Sequence, residues 1–175
     1  MNIHTDGDTN TGQPKRGGSW IFPALGGVVL GAVLIAVVAW QMMPKMMIVE
    51  HESKYGLDET VTRLKQAIED AGWICPGVRD LNKSMAKQGV TFDKRVRLVE
   101  LCQAEYAKSV LETDRHIATL MPCAIAVYDG DDGKVYISSM NMGLMGKMFG
   151  GNIAKVMGGA VADDERKIIS SVVKD

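Results

Sequence analysis

The sequence lacks the clusters of reactive side chains from which most catalytic and metal-binding motifs are built. It contains three histidines and three cysteines, and it has no CxxC, HExxH or GxSxG motif. The glycines that follow its last β-rich segment do not have the GxGxxG spacing of a dinucleotide-binding loop. These absences argue against zinc hydrolases, serine hydrolases and nucleotide-binding folds. They favour a binding protein over an enzyme and leave catalysis as an open alternative.

The chain also lacks an excess of charge of either sign. Twenty Lys and Arg residues stand against 21 Asp and Glu residues, which gives a net charge of −1 at pH 7. Domains that bind nucleic acids concentrate positive charge on one face, because they must neutralise phosphates. The composition therefore predicts no nucleic-acid partner.

One long apolar run stands out against this background. From Trp20 to Met43 the sequence WIFPALGGVVLGAVLIAVVAWQMM contains no charged residue. About 20 apolar residues in a helix cross the hydrocarbon core of a bilayer, and indole rings prefer its two interfaces. No small-x-small cleavage site follows, so we expect an uncleaved anchor. The chain then divides into a disordered polar N-terminus over 1–18, a transmembrane signal anchor over 19–43 and a soluble domain over 46–175.

The charges beside this run predict which side of the membrane the domain faces. Lys15 and Arg16 precede the run and favour a cytoplasmic N-terminus, whereas Lys45 and Lys54 follow it and weaken the bias. We expect a single-pass protein of the inner (cytoplasmic) membrane, with its domain on the periplasmic or extracytoplasmic side. Such a compartment permits disulfides, and three cysteines leave at least one thiol unpaired.

The domain sequence alternates between helical and extended patterns. Residues 53–72 carry an apolar stripe at steps of three and four, and Gly72 is placed to end that helix as a left-handed cap. The segments CAIAVY and KVYISS flank DGDDG and predict a hairpin. On the strand over 94–102 we expect one face to hold Val96, Leu98 and Cys102. Further elements are expected as a strand over 46–51, an extended piece over 73–78, a turn or short helix over 79–89 and a helix over 104–111.

The segment Met140–Gly159, MNMGLMGKMFGGNIAKVMGG, is unusually rich in methionine and glycine. Thioether sulfurs are ligands for Cu(I), and a Met-lined surface can dock on a membrane or a partner. Gly146 and Gly150 stand four apart, a spacing that lets helices pack closely or self-associate. We expect chiefly a close-packed hairpin of helix and loop that covers the sheet. Three methionines spaced by three residues remain secondary ligand candidates: Met142, Met145 and Met148.

Three segments together carry a resemblance to a known family. DETVTRLKQAIEDAGW, KRVRLVELC and ATLMPCAIAVYD occur in an order that resembles the bacterial domain of unknown function family 302. The resemblance spans about Met46 to Ile169, and its most specific pieces are ELC around Cys102 and LMPC around Cys123. Where the family has Asn-Pro after the first cysteine, this chain has Gln103-Ala104. The resemblance implies an α+β fold in which helices back a small antiparallel sheet, and it implies a dimer in many members. It brings no established reaction.

The three cysteines carry the clearest chemical signal in the domain. Cys102 ends one predicted strand and Cys123 begins another, so we expect them to meet across the sheet interior. They could be buried small hydrophobes, a disulfide, or a shared soft-metal or haem-thiolate site. Cys75 lies beside Pro76 in a kinked segment and is a third ligand candidate, although no CxxCH haem-attachment motif occurs. His116 is a secondary candidate because it precedes the strand of Cys123.

Three functional hypotheses follow from these observations. The first is a membrane-anchored binding or sensing module, oligomeric, that uses its cysteines to hold a soft ligand such as haem, copper or a sulfur species. The second is a structural or interaction protein without a ligand, which docks through its Met/Gly-rich segment. The third is a thiol-dependent sulfur-transfer enzyme, which needs a cysteine of low pKa. The expected partners are the membrane, through residues 19–43, and further copies of the chain.

Overall fold

The structure is a computed structural model that describes the backbone of residues 21–174 and the side chains of residues 27, 30–42 and 45–174. The predicted disordered segment 1–18 lies outside the described residues, as do the first two residues of the predicted anchor. The chain divides into two units after Gln41, and helix α1 (Ile21–Met47) begins the described part. Within that part, we find no helix with the length and apolarity that a membrane crossing requires.

The second unit is built on one five-stranded antiparallel sheet with the strand order β1-β5-β4-β3-β2. This confirms the α+β class and the antiparallel sheet that the family resemblance implied. The predicted hairpin around DGDDG is the β4–β5 pair. The first strand starts later than expected, because α1 continues through Met47. The strands are β1 (Ile48–Glu52), β2 (Val78–Asp80), β3 (Val96–Leu101), β4 (Cys123–Asp129) and β5 (Val135–Met140).

Short helices fill the connections and the C-terminal third of the domain. The longest of them, α2, ends as predicted: Gly72 has a φ of 76°, and the amide of Trp73 donates to the carbonyl of Ile68 at 3.0 Å. The helices after α1 are α2 (Leu57–Asp70), α3 (Leu81–Ala86), α4 (Ala104–Thr113), α5 (Met142–Phe149), α6 (Gly151–Lys155) and α7 (Ala162–Ser170). A 3₁₀ turn covers Arg115–Leu120, and a π-helical turn covers Val156–Val161.

The core lies between one face of the sheet and the helices. Strand residues on this helix-covered face are fully buried together with apolar side chains of α2, α4 and α7. The prediction for β3 was wrong, because Val99 and Leu101 face the core, whereas Leu98 pairs with Ala126 on the other face. The long side chain of Arg97 explains the difference. It lies at the end of the covered face and reaches the Asp80 carboxylate at 3.1 Å.

The Met/Gly-rich segment forms a tightly packed helical hairpin, which confirms the predicted close packing. Helices α5 and α6 and the π-helical turn occupy the segment where a helix and a loop were expected. A Cβ atom added to Gly146 of α5 would lie 2.5 Å from the Cα atom of Gly158 in the π-helical turn. Only glycine at position 146 therefore allows these two backbones to approach so closely. Gly146 makes this contact inside the domain and is buried.

Candidate functional site

The structure brings two of the three candidate cysteines to one small cavity. Cys102 and Cys123 line a space of about 20 Å³, together with Met121 and Met157. All three cysteines are free thiols. Cys75 is absent from the described residues that line this cavity, and its Sγ donates to the carbonyl of Gly77 at 3.6 Å. The sulfur atoms around the cavity are therefore those of two cysteines and two methionines.

The strand register changes how the two cysteines meet. Leu101, rather than Cys102, lies opposite Cys123 in the β3–β4 pair. Cys102 is therefore not the direct cross-strand neighbour of Cys123. Cys102 lies just beyond β3, where its backbone exchanges two hydrogen bonds of 2.9 Å with Ile74. Both cysteines reach the cavity at the end of the strand pair.

The environment of Cys123 keeps its thiol protonated. Burial raises the pKa of Cys123 to about 12, and the nearby Glu165 and Cys102 add to the effect. A reactive cysteine needs a lowered pKa, because the thiolate is the nucleophile. Cys123 therefore has the character of a half-buried structural thiol.

The size of this cavity restricts what the cysteines can hold. A space of about 20 Å³ is close to the minimum for one water molecule. It accommodates a single ion and is far too small for a haem. In the part of the chain that the structure describes, no group of three or more His, Cys, Asp or Glu side chains is arranged to hold a metal ion. A metal here would depend on the methionine sulfurs as well.

The secondary candidates are scattered over the domain. His116 is exposed in the 3₁₀ turn. Met142 and Met145 are buried, whereas Met148 is 56% exposed. The three methionines therefore do not converge on one ligand. Met142 alone among them contributes to a second, larger cavity.

This second cavity has a volume of about 210 Å³, and the buried carboxyl group of Glu165 lines it. It lies among the β1 and β5 strands, the start of α5 and the inner side of α7, and we call it the Glu165 cavity. Its polar lining includes Glu165, Ser139, His51 and Arg166. Its apolar lining includes Val49, Met140, Met142 and Ile169.

Glu165 occupies a position where the helical pattern calls for an apolar side chain. It lies on the buried stripe of α7 and the preceding π-helical turn, between Val161 and Ile168, and it is only 5% exposed. Its Oε2 atom has no hydrogen-bond partner among the described residues. A buried carboxyl oxygen without a partner costs folding free energy, and few native polar groups are left in this state.

Other buried and half-buried polar side chains among the described residues of the domain have hydrogen-bond partners. The hydroxyls of Ser53 and Thr60 lie 2.7 Å apart, and that of Thr60 also donates to the carbonyl of Gly56 at 2.9 Å. Asp164, next to Glu165, accepts hydrogen bonds of 3.3 Å from the Trp73 indole and the Tyr106 hydroxyl. The unpaired oxygen of Glu165 is thus a local exception.

The electrostatics of Glu165 follow from this burial. Desolvation raises the pKa of Glu165 above its ordinary value, and the Ser139 side chain, by hydrogen bonding to the carboxyl, opposes the rise only in part. A carboxyl group with a raised pKa inside a cavity can accept a hydrogen bond from a ligand or form an ion pair with a positively charged ligand group. Perturbed groups of this kind concentrate at functional sites.

Sequence reasoning missed Glu165, although a signal was present. Val161, Glu165, Ile168 and Ile169 are spaced by four, three and one residues, so a helix places the glutamate on an apolar stripe. The pattern predicts the burial of Glu165. It does not predict the cavity, which depends on how α7 packs against the β1–β5 side of the sheet.

Comparisons with known proteins agree with this architecture. The family described as Domain of unknown function DUF302 matches residues 49–174. A crystal structure of an uncharacterized conserved DUF302 protein from Bacillus stearothermophilus resembles the chain with a TM-score of 0.64 and 18% identity, covering 71% of this chain and 97% of that one. No curated protein sequence matches the chain. Since the family match extends over most of the sequence, the chain belongs to the family of Domain of unknown function DUF302.

Proposed function

We propose that the domain is a membrane-anchored binding or sensing module whose ligand site is the Glu165 cavity. The observation that carries this proposal is the buried, unpaired Oε2 atom of Glu165 in the wall of a cavity of about 210 Å³. A domain selected for stability alone gains from an apolar residue at this position, because a buried polar atom without a hydrogen-bond partner costs about 1–3 kcal/mol. A ligand that pairs with the carboxyl offsets that cost. Concave, mostly apolar sites with a few polar groups are typical of small-molecule binding.

The proposal is tested by asking whether small molecules occupy this cavity. The full-length chain, labelled with ¹⁵N, is titrated with a library of small polar fragments, and amide shifts are followed by NMR. We expect saturable shifts at Ser139, Met142 and Glu165. The Glu165→Gln variant should lose them, whereas Glu69→Gln, which changes an exposed glutamate of α2, should keep them. Fragment shifts confined to other parts of the domain would contradict the proposal.

The membrane anchor is part of the same proposal. It is supported by the uncharged run from Trp20 to Met43 and by the exposure of apolar α1 side chains, with Leu30, Leu34 and Ile35 each more than half exposed. Such a surface needs a cover, which a bilayer supplies. The full chain should resist extraction from membranes by alkaline carbonate, and protease added to spheroplasts should cleave the domain if it faces outward. Release of the full chain by carbonate would contradict the anchor.

A soft-metal site is the second candidate, and one observation favours it. Four sulfur-bearing residues, Cys102, Cys123, Met121 and Met157, line the cavity of about 20 Å³, and Cu(I) prefers such ligands. Titration of the reduced protein with Cu(I) in the presence of a competing chelator should give one equivalent bound, and Cys123→Ser should abolish it. Equal uptake by the variant would dismiss this candidate. The raised pKa of Cys123 speaks against the third hypothesis, a sulfur-transfer enzyme that uses this thiol.

Association with other proteins forms the remaining part of the proposal. The family resemblance suggests self-association, which sedimentation equilibrium of the full chain in detergent would measure. Docking through the Met/Gly-rich segment would depend on Met148 and Phe149, which are both exposed at the end of α5. A double change of these two residues to serine would then prevent partner capture without changing stability.

A further inference from the structure

We propose that the ligand of the Glu165 cavity is a small molecule with a primary ammonium group on an apolar body. This inference rests on the proposed function and narrows it to one chemical class. It is carried by the geometry of the cavity, which combines one buried acceptor that has no partner with walls of aliphatic and thioether side chains.

The unpaired Oε2 atom of Glu165 favours a ligand whose hydrogen-bond donor is positively charged. Ser139 already interacts with the Glu165 carboxyl, and this neutral hydroxyl leaves Oε2 unpaired. A hydrogen bond between an ammonium and a carboxylate is about twice as strong as one between neutral groups. An ammonium group would both pair with Oε2 and neutralise the buried charge, which a neutral ligand cannot do.

The other charged and titratable groups near the carboxyl do not compete for it. Arg166 lines the cavity, but its guanidinium pairs with Asp163 at 2.9 Å and its side chain is 75% exposed, so it lies at the rim. His51 is also exposed at the rim, on β1. Cys123 on β4 is close enough to sense the charge of Glu165 and remains a neutral thiol. The Oε2 atom of Glu165 thus remains the unmatched acceptor among the described residues that line the cavity.

The walls and the volume define the rest of the ligand. Val49, Met140, Met142 and Ile169 offer aliphatic and thioether surface, which suits an apolar body. The volume of about 210 Å³ equals that of about seven water molecules at roughly 30 Å³ each. A benzyl or short alkyl group fits this space. An inorganic cation suits it less well, because the described residues contain no group of three or more His, Cys, Asp or Glu side chains placed to hold a metal.

The experiment compares three probes of one shape and different charge. Benzylamine, benzyl alcohol and benzoate are titrated into the full-length chain at pH 8, and amide shifts of Ser139, Met142 and Glu165 report occupancy. We expect benzylamine to bind about ten- to a hundredfold more tightly than benzyl alcohol, as a charge-assisted hydrogen bond implies. The preference should vanish in Glu165→Gln and persist in Glu69→Gln. A further titration uses Nα-acetyl-lysine amide, which mimics the lysine side chain of a peptide. It distinguishes a small free amine from a lysine side chain as the ligand of the cavity.

The outcomes separate this inference from the proposed function. Equal binding of benzylamine and benzyl alcohol, or a preference for benzoate, would overturn the ammonium class while leaving a ligand-binding cavity. The absence of shifts at the cavity with every probe and every fragment would overturn both proposals. If benzylamine is preferred equally by wild type and by Glu165→Gln, the ammonium binds elsewhere and the inference fails.

Discussion

Replacing Glu165 with leucine should stabilise the domain and flatten its pH dependence. The side chain is 5% exposed and its Oε2 atom has no partner among the described residues, so folding removes a carboxyl from water with incomplete compensation. Leucine has a similar size and suits the stripe formed by Val161, Ile168 and Ile169. An unsatisfied buried polar group costs about 1–3 kcal/mol. We therefore expect Glu165→Leu to raise the free energy of unfolding by that amount at pH 8.

The direction of the pH effect follows from the raised pKa of Glu165 in the folded state. Its ordinary value is 4.5, which we take for the unfolded chain, and burial moves the folded value upward. The folded state then binds the proton more tightly. The stabilisation that comes from this tighter proton binding at Glu165 is complete below pH 4.5 and is lost as the pH rises through the pKa of the folded state. The slope in that interval reaches about 1.4 kcal/mol per pH unit.

Urea denaturation of the full-length chain, followed by far-UV circular dichroism between pH 5 and pH 8, measures both effects. The difference between wild type and Glu165→Leu isolates this residue from all other titrating groups. Glu69→Gln serves as a control at an exposed position and should follow the wild-type curve. The reasoning is refuted if Glu165→Leu destabilises the domain at pH 8, or if its stability changes with pH as steeply as that of the wild type.

Three other predictions test different parts of the domain. Gly146→Ala should lower the free energy of unfolding by about 1–3 kcal/mol, because the added Cβ atom would collide with the backbone of Gly158. The control Gly143→Ala should be neutral or slightly stabilising, since a Cβ atom there makes only an ordinary contact of 3.6 Å with the Asn141 side chain. Thermal or urea unfolding measures both variants. Cys123, with a pKa raised to about 12, should react with iodoacetamide at pH 8 only after unfolding, as mass spectrometry of the alkylated peptides would show. Thr60→Val should cost about 0.5–1.5 kcal/mol in the same denaturation assay, since it removes the buried hydrogen bond between the hydroxyls of Thr60 and Ser53. Stability equal to that of the wild type would contradict this prediction.

Local signals in the sequence predicted most of the elements, because those signals act over a few residues. Gly72 ends α2 with positive φ, and the DGDDG loop joins β4 to β5, as expected. The buried face of β3 was predicted incorrectly. The alternating pattern of β3 allows either face of the strand to be buried. Which face is buried depends on Arg97, whose guanidinium forms an ion pair with Asp80 at the edge of the sheet. The sequence of one strand does not show which residues of other elements will lie beside it. Which face of β3 is buried therefore depends on tertiary contacts.

The candidate site was harder to predict, because chemical reactivity drew attention to the wrong residues. Cysteines suggest chemistry in any sequence, yet burial raises the pKa of Cys123, and the cavity that it shares with Cys102 holds only about 20 Å³. In the sequence, Glu165 resembles the other acidic residues around it in ADDERKIIS. Only its place in the apolar stripe distinguishes it from Asp164, whose carboxylate is satisfied by Trp73 and Tyr106.

The π-helical turn explains how Glu165 comes to face inward. From Ile153 the buried residues follow at steps of four through Met157 and Val161 to Glu165. In a continuous α-helix each step of four overshoots a full turn by about 40°, so such a stripe would drift to the surface. The π-helical turn over 156–161 holds more residues per turn and cancels this drift. Its backbone also contacts Gly146 of α5, the helix whose first residues line the Glu165 cavity. The close glycine contact, the π-helical turn and the buried carboxyl therefore belong to one structural arrangement, and the tight helical hairpin is what holds Glu165 against the sheet.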